Sequence, residues 1–159
     1  MRKLFSFMLT LVLLFGLVGC SDTKAENTER VYSFSGEIEE MRVINGVATI
    51  GSDTETFYGG LLELKTETFD SVTKWNAKFY ISDEPENWTI LNNVIQDETG
   101  TFSLKNQELG QITGPILNTN MKLSDFEENL YFKLEITDKN GNLKTYTIPM
   151  EVKKVISVN

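Results

Sequence analysis

Residues 73–82 read Thr-Lys-Trp-Asn-Ala-Lys-Phe-Tyr-Ile-Ser. Trp75, Ala77, Phe79 and Ile81 take every second place, with Lys74, Asn76, Lys78 and Tyr80 between them. A period of two belongs to a β-strand with one face buried and the other wet. The period returns at Leu130, Phe132, Leu134 and Ile136, set against Tyr131, Lys133, Glu135 and Thr137, and continues through Tyr146, Ile148, Met150 and Val152. Stretches of this kind must pair into sheets, and each apolar face must be covered by a second layer.

The rest of the chain supplies further strands and their punctuation. Val31-Tyr32-Ser33-Phe34-Ser35 alternates loosely, and Leu62 and Leu64 share a face after Gly59-Gly60, which marks a turn or a bulge. Asn45-Gly46 lies between Met41-Arg42-Val43-Ile44 and Val47-Ala48-Thr49-Ile50. Both of its residues tolerate positive φ, so a tight hairpin is expected there. An acidic turn at 83–87 should close the strand at 73–82. Two more strands are expected at 88–95 and 101–104, and Gly114-Pro115 breaks the pattern after Ile112. Ser124-Asp125-Phe126-Glu127 has the spacing of a capping box, which predicts one short helix over 124–129. Lys139-Asn140-Gly141-Asn142 turns the last hairpin. The expectation is an all-β fold: an antiparallel β-sandwich of about seven to nine strands with that one helix.

A short helix leading into a closing hairpin is similar to the penultimate connection of immunoglobulin-like domains, and that resemblance implies an immunoglobulin-like sandwich. The sequence departs from the pattern in two ways. The tyrosine near the start of that strand, Tyr131, falls on the outward face, and the single cysteine leaves no inter-sheet disulfide.

The N-terminus is of another kind. Met1-Arg2-Lys3 precedes residues 4–18, which hold no charged side chain. That run is short for a spanning helix, which needs about 20 residues, and fits the apolar region of a secretory signal. It ends in Leu17-Val18-Gly19-Cys20, which resembles the lipobox of bacterial lipoproteins. The resemblance implies a signal peptide over 1–19, cleavage between Gly19 and Cys20, and acylation of Cys20. Several acyl chains hold a protein on a membrane where one does so only marginally. Residues 20–29 carry no aromatic or large aliphatic side chain and read as a flexible tether, leaving 30–159 as the folded domain. The expected location is the extracytoplasmic face of the cell membrane.

Composition narrows the function. The net charge is −8, and loss of Arg2 and Lys3 with the signal leaves the mature part more acidic still. No basic cluster opposes this, so nucleic acid is not an expected partner. There is no histidine and one cysteine, which removes the usual general base, the Ser-His-Asp arrangement and most zinc sites. A carboxylate hydrolase needs two acids at a fixed separation across a cleft, which a sandwich without long loops hardly offers. No enzyme activity, cofactor or metal is expected.

Phe34-Ser35-Gly36-Glu37, Asn45-Gly46 and Tyr58-Gly59-Gly60 before Leu62-Glu63-Leu64 carry two further resemblances. One is to small cell-surface lipoproteins of Gram-positive bacteria, although the tryptophan common in those is replaced here by Glu40-Met41; it implies location and no particular activity. The other is to the galactose-binding-like jelly rolls of carbohydrate-binding modules, and it implies sugar binding. The expected function is therefore a lipid-anchored, non-enzymatic binding module, with an envelope protein or a cell-wall polysaccharide as partner. For the polysaccharide, Trp88 with Tyr58 and Tyr80 would form the platform, since aromatic faces stack on sugar rings. Trp88 at a strand start also reads as a lid on the core. Asp138-Lys139-Asn140-Gly141-Asn142 opens like a calcium loop but has Leu143 and Pro149 where such a loop needs glycine and glutamate. Asp53, Glu55, Asp83, Glu84 and Glu86 are the remaining acids that a fold might gather.

Overall fold

The computed structural model describes residues 29–51, 54–65, 69, 72–83, 86–99 and 104–158. The expected signal segment, Cys20 and the expected tether up to residue 28 lie outside the described residues, as do Asp53, Glu84, Pro85 and the expected strand positions 101–103.

Among the described residues, eleven strand segments form two antiparallel sheets. The first contains β1 (Glu29–Glu37), β2 (Met41–Ile50), β3 (Thr56–Tyr58), β4 (Leu61–Leu64), β7 (Gln107–Glu108), β8 (Gln111–Thr113) and β11 (Glu151–Val158). Its order is β11-β1-β2-β3-β8, with β4 also on β2 and β7 on β4. The second sheet runs β10 (Leu143–Pro149), β9 (Leu130–Asp138), β5 (Val72–Asp83), β6 (Glu86–Gln96). β3 with β4 is one strand interrupted at Gly59-Gly60, and β7 with β8 is one interrupted at Leu109-Gly110, so among the described residues nine strands make the sandwich. β2, β3/β4 and β7/β8 face β10, β9, β5 and β6.

The alternation at 73–82 does what its period requires. Trp75, Ala77, Phe79 and Ile81 are all buried, as are Leu130, Phe132, Leu134 and Ile136 on β9. Phe79 joins the two sheets. Its ring centroid lies 5.6 Å from that of Phe34 on β1, 5.1 Å from Phe57 on β3 and 5.0 Å from Phe132 on β9. No polar or charged residue is buried among the described residues. Tyr146, Ile148, Met150 and Val152 keep one inward stripe, but the chain changes sheets within it. Pro149 ends β10 opposite Tyr131, and Val152 on β11 pairs with Phe34.

Two local expectations are corrected. Asn45-Gly46 is not a hairpin turn: β2 runs unbroken through it, and the β1–β2 turn lies at Ile38-Glu39-Glu40. The pair instead makes a β-bulge, where the β1–β2 register slips by one residue. Asn45 takes φ 59°, and the Phe34 ring lies over Gly46 so closely that a Cβ there would overlap it. The positive φ that suits a hairpin suits a bulge equally. The kink continues across the sheet at Gly60 (φ 80°) and Gly110 (φ 91°). The backbone N–H of Gly59 donates to Gly110 O at 2.9 Å, and that of Leu109 donates to Gly60 O at 3.0 Å. The helix, α1 (Leu123–Asn129), is present but begins earlier than its sequence signal. Lys122 is the N-cap, and the carboxylate reaching back to its N–H is that of Asp125, at 2.7 Å, not Glu127.

Glu127 is used elsewhere. Its Oε1 accepts a hydrogen bond from the Tyr32 hydroxyl at 2.8 Å, while Tyr32 packs edge-on against Phe126 with centroids 5.5 Å apart. A tyrosine from β1 thus pins the helical connection, while Tyr131 faces outward.

Candidate functional site

The three aromatic residues expected to form a platform are not brought together. Trp88 lies on β6 opposite Ile81, packs against the core, and donates its indole N–H to Ile116 O at 2.7 Å. It is a lid on the core edge, the second of its two sequence readings. Tyr58 follows the buried Phe57 on β3 and so faces out from the first sheet, opposite Val47 and Gln111. Tyr80 faces out from the second sheet.

Around Tyr80 the register assembles a different group. β5 and β9 pair so that Tyr80 meets Tyr131, Lys78 meets Lys133, Asn76 meets Glu135, and Lys74 meets Thr137. β6 adds Thr89, Asn92, Val94 and Gln96 beside Tyr80, Lys78, Asn76 and Lys74. β10 adds Thr147 and Thr145 beside Lys133 and Glu135. All stand on the outer face, because their neighbours in sequence fill the core.

The face is organised by contacts among its own residues. The Tyr80 and Tyr131 rings stack with centroids 5.6 Å apart and planes 19° apart. Lys78 Nζ lies 5.5 Å from the centroid of the Tyr80 ring. Lys133 Nζ is 2.6 Å from Glu135 Oε1, and Glu135 Oε2 accepts from Asn76 Nδ2 at 3.2 Å. The Lys133 hydrogen bond, opposed by desolvation, holds the Glu135 carboxyl below its ordinary range. Burial raises the Tyr80 phenol, with Lys133 opposing and Tyr131 adding to the shift. The Tyr80 ring is thus engaged both by Tyr131 and by the Lys78 ammonium, which reduces the open stacking surface it offers.

Two lysines directly opposite each other on one face of a sheet repel. Here they do so in a chain of net charge −8, where acidic neighbours would be easy to place. Among the described residues, the one ion pair on this face is that of Lys133 with Glu135. Lys74 and Lys78 leave it net positive. Both halves of the group were visible in the sequence as wet stripes at 74–80 and 131–137; their union depends on a pairing between positions 59 apart, as for Asn76 and Glu135.

Of the five acids named above, Glu55 is the one whose side chain is described. Among the described residues no group of three histidine, cysteine, aspartate or glutamate side chains meets at a possible metal site. Glu55 spans its own loop, accepting from Gly51 N at 3.0 Å and from Ile116 N at 2.7 Å. Asp138 closes the β9–β10 turn by accepting from the backbone of Asn140 and Asn142 at 2.8 and 2.9 Å. Glu39 and Glu40 sit in the β1–β2 turn.

A shallow open depression lies on the outer face of the other sheet, at the bulge, lined by Ser33, Ser35, Ile44, Asn45, Glu151 and Lys153 among others. Among the described residues no helix is long and apolar enough to cross a membrane. No family model, curated protein or solved structure matches the chain.

Proposed function

We propose that this chain is an exported lipoprotein, anchored through acylated Cys20, whose β-sandwich is a non-enzymatic binding module at the cell envelope. The anchor reading rests on the uncharged run at 4–18 and on Leu17-Val18-Gly19-Cys20. The observation that carries the binding reading is the outer face of the second sheet: a registered surface on which Lys78 and Lys133 stand opposite each other with Glu135 as the acid between them, which leaves positive charge for a ligand to neutralise.

The composition of this face favours a cell-wall polysaccharide over a protein. Its middle holds lysine, asparagine, threonine and tyrosine hydroxyls, whereas the buried centres of protein interfaces are depleted in lysine and other charged residues. A protein partner is the second reading, and the outer face of the first sheet favours it. There Val47, 40% exposed, sits between Ser33 and Tyr58.

The anchor is tested by expressing the full chain and its Cys20→Ser variant in bacteria fed labelled palmitate. The native chain should take up label and sediment with membranes, and the variant should do neither. An unlabelled native chain, or a variant that still sediments with membranes, would defeat the anchor.

A further inference from the structure

We propose that the outer face of the β10-β9-β5-β6 sheet binds a linear anionic polysaccharide, whose acid groups settle on Lys78 and Lys133. The inference rests on the binding reading above and deepens it by naming the charge of the polymer and the two lysines that hold its acid groups.

The charge argument comes first. The face pairs Lys78 with Lys133 across the β5–β9 ladder and adds Lys74 four residues along β5. Two positions on one strand face repeat every ~7 Å, so Lys74 and Lys78 stand ~14 Å apart along the strand. Glu135 is the acid among them, and it is already engaged by Lys133 and Asn76. An approaching carboxylate or phosphate relieves the lysine–lysine repulsion and exchanges with Glu135 for Lys133. Long-range attraction to a polyanion is opposed by the acidic remainder of the chain, so the attraction is confined to this face.

The neutral groups then select a polymer of hydroxyls. Asn92, Thr89, Thr145 and Thr147 flank the lysines, and the Tyr80 and Tyr131 rings, stacked on each other, add phenolic hydroxyls. A side-chain hydroxyl or amide both donates and accepts, which matches a sugar hydroxyl. The larger apolar side chains of the face, Val94 and Leu143, stand at its margins on β6 and β10. A sheet face four strands wide suits a chain of sugars lying across it rather than one enclosed residue.

The test uses the purified full chain in detergent, with polygalacturonate as the anionic probe, dextran as the neutral one and polyglutamate as an acidic polypeptide. Saturable binding to polygalacturonate should weaken about tenfold or more as salt rises from about 0.05 to about 0.5 M, because screening shortens the reach of the lysines. The Lys78→Gln, Lys133→Gln double variant should lose that binding while it still unfolds cooperatively on heating, loss of the Lys133–Glu135 ion pair and of the Lys78 contact with Tyr80 being set against relief of the lysine–lysine repulsion. Equal binding to polyglutamate would overturn the assignment in favour of an acidic protein segment. Equal binding to dextran would overturn the role of charge, and absence of binding, or binding untouched in the folded double variant, would overturn the proposal outright. Full-chain Cys20→Ser, run beside these, should bind polygalacturonate as the native chain does, so a failed anchor and a failed face give different results.

Discussion

At the scale of single residues, the tyrosines divide between two tasks. Tyr80 and Tyr131 stand on the outer face, while Tyr32 is fully buried and holds α1 through Glu127. Burial, the Glu127 hydrogen bond and the Glu127 charge raise the Tyr32 phenol to about 12, with Arg30 opposing. The unfolded chain gives up this proton near its ordinary value of 10.0. The stabilisation is therefore whole below that value and is lost as pH rises from about 10 through about 12. Tyr32→Phe should cost about 1 kcal/mol at neutral pH, the usual net worth of such a hydrogen bond. Urea unfolding at several pH values should also show a flatter alkaline limb in the variant. Tyr80 and Tyr146 are raised too, by burial first, so the limb flattens without vanishing. An unchanged limb would mean that the Tyr32 phenol is not the group titrating.

Among the elements, β2 is the most informative. Asn45 and Gly46 form a bulge inside the strand, and the two residues are held there for different reasons. Asn45→Gly should be tolerated within a few tenths of a kcal/mol, and Asn45→Ala should destabilise by about 1 kcal/mol, because the left-handed region penalises a Cβ without a polar partner. Gly46→Ala should be worse, by about 1–3 kcal/mol, since the new methyl displaces the Phe34 ring from a packed core. Chemical denaturation of the three variants gives the order directly. The bulge also marks where the sequence stops being legible. Period-two stripes identified β5, β9 and β10 because burial on one face leaves a pattern within the strand itself. Asn-Gly carries only a backbone preference, and both bulge and hairpin satisfy it; the contact that decides is with Phe34, on another strand. The helix was displaced for a similar reason. Ser124 and Glu127 have the right spacing, but Glu127 is claimed by Tyr32, which leaves Asp125 to cap.

For the molecule as a whole, the two sheets are joined at Phe79. Phe79→Ala should cost about 3–5 kcal/mol, as large-to-small changes in a core do, a large part of the total stability of a domain this size. A loss under 1 kcal/mol in thermal or urea unfolding would mean that Phe34, Phe57 and Phe132 close the gap without it. The sandwich class was legible in the sequence because strands and turns recur along the chain. The proposed binding face was not, because it exists only once β5 and β9 are in register. One further consequence follows from β1, which lies between β2 and β11 with Glu29 opposite Val158. A pull applied through the residues before Glu29 loads β1 along its length against hydrogen-bond ladders on both sides. Those ladders must shear together rather than unzip one bond at a time. The domain is thus built to take tension at the end from which it would be tethered.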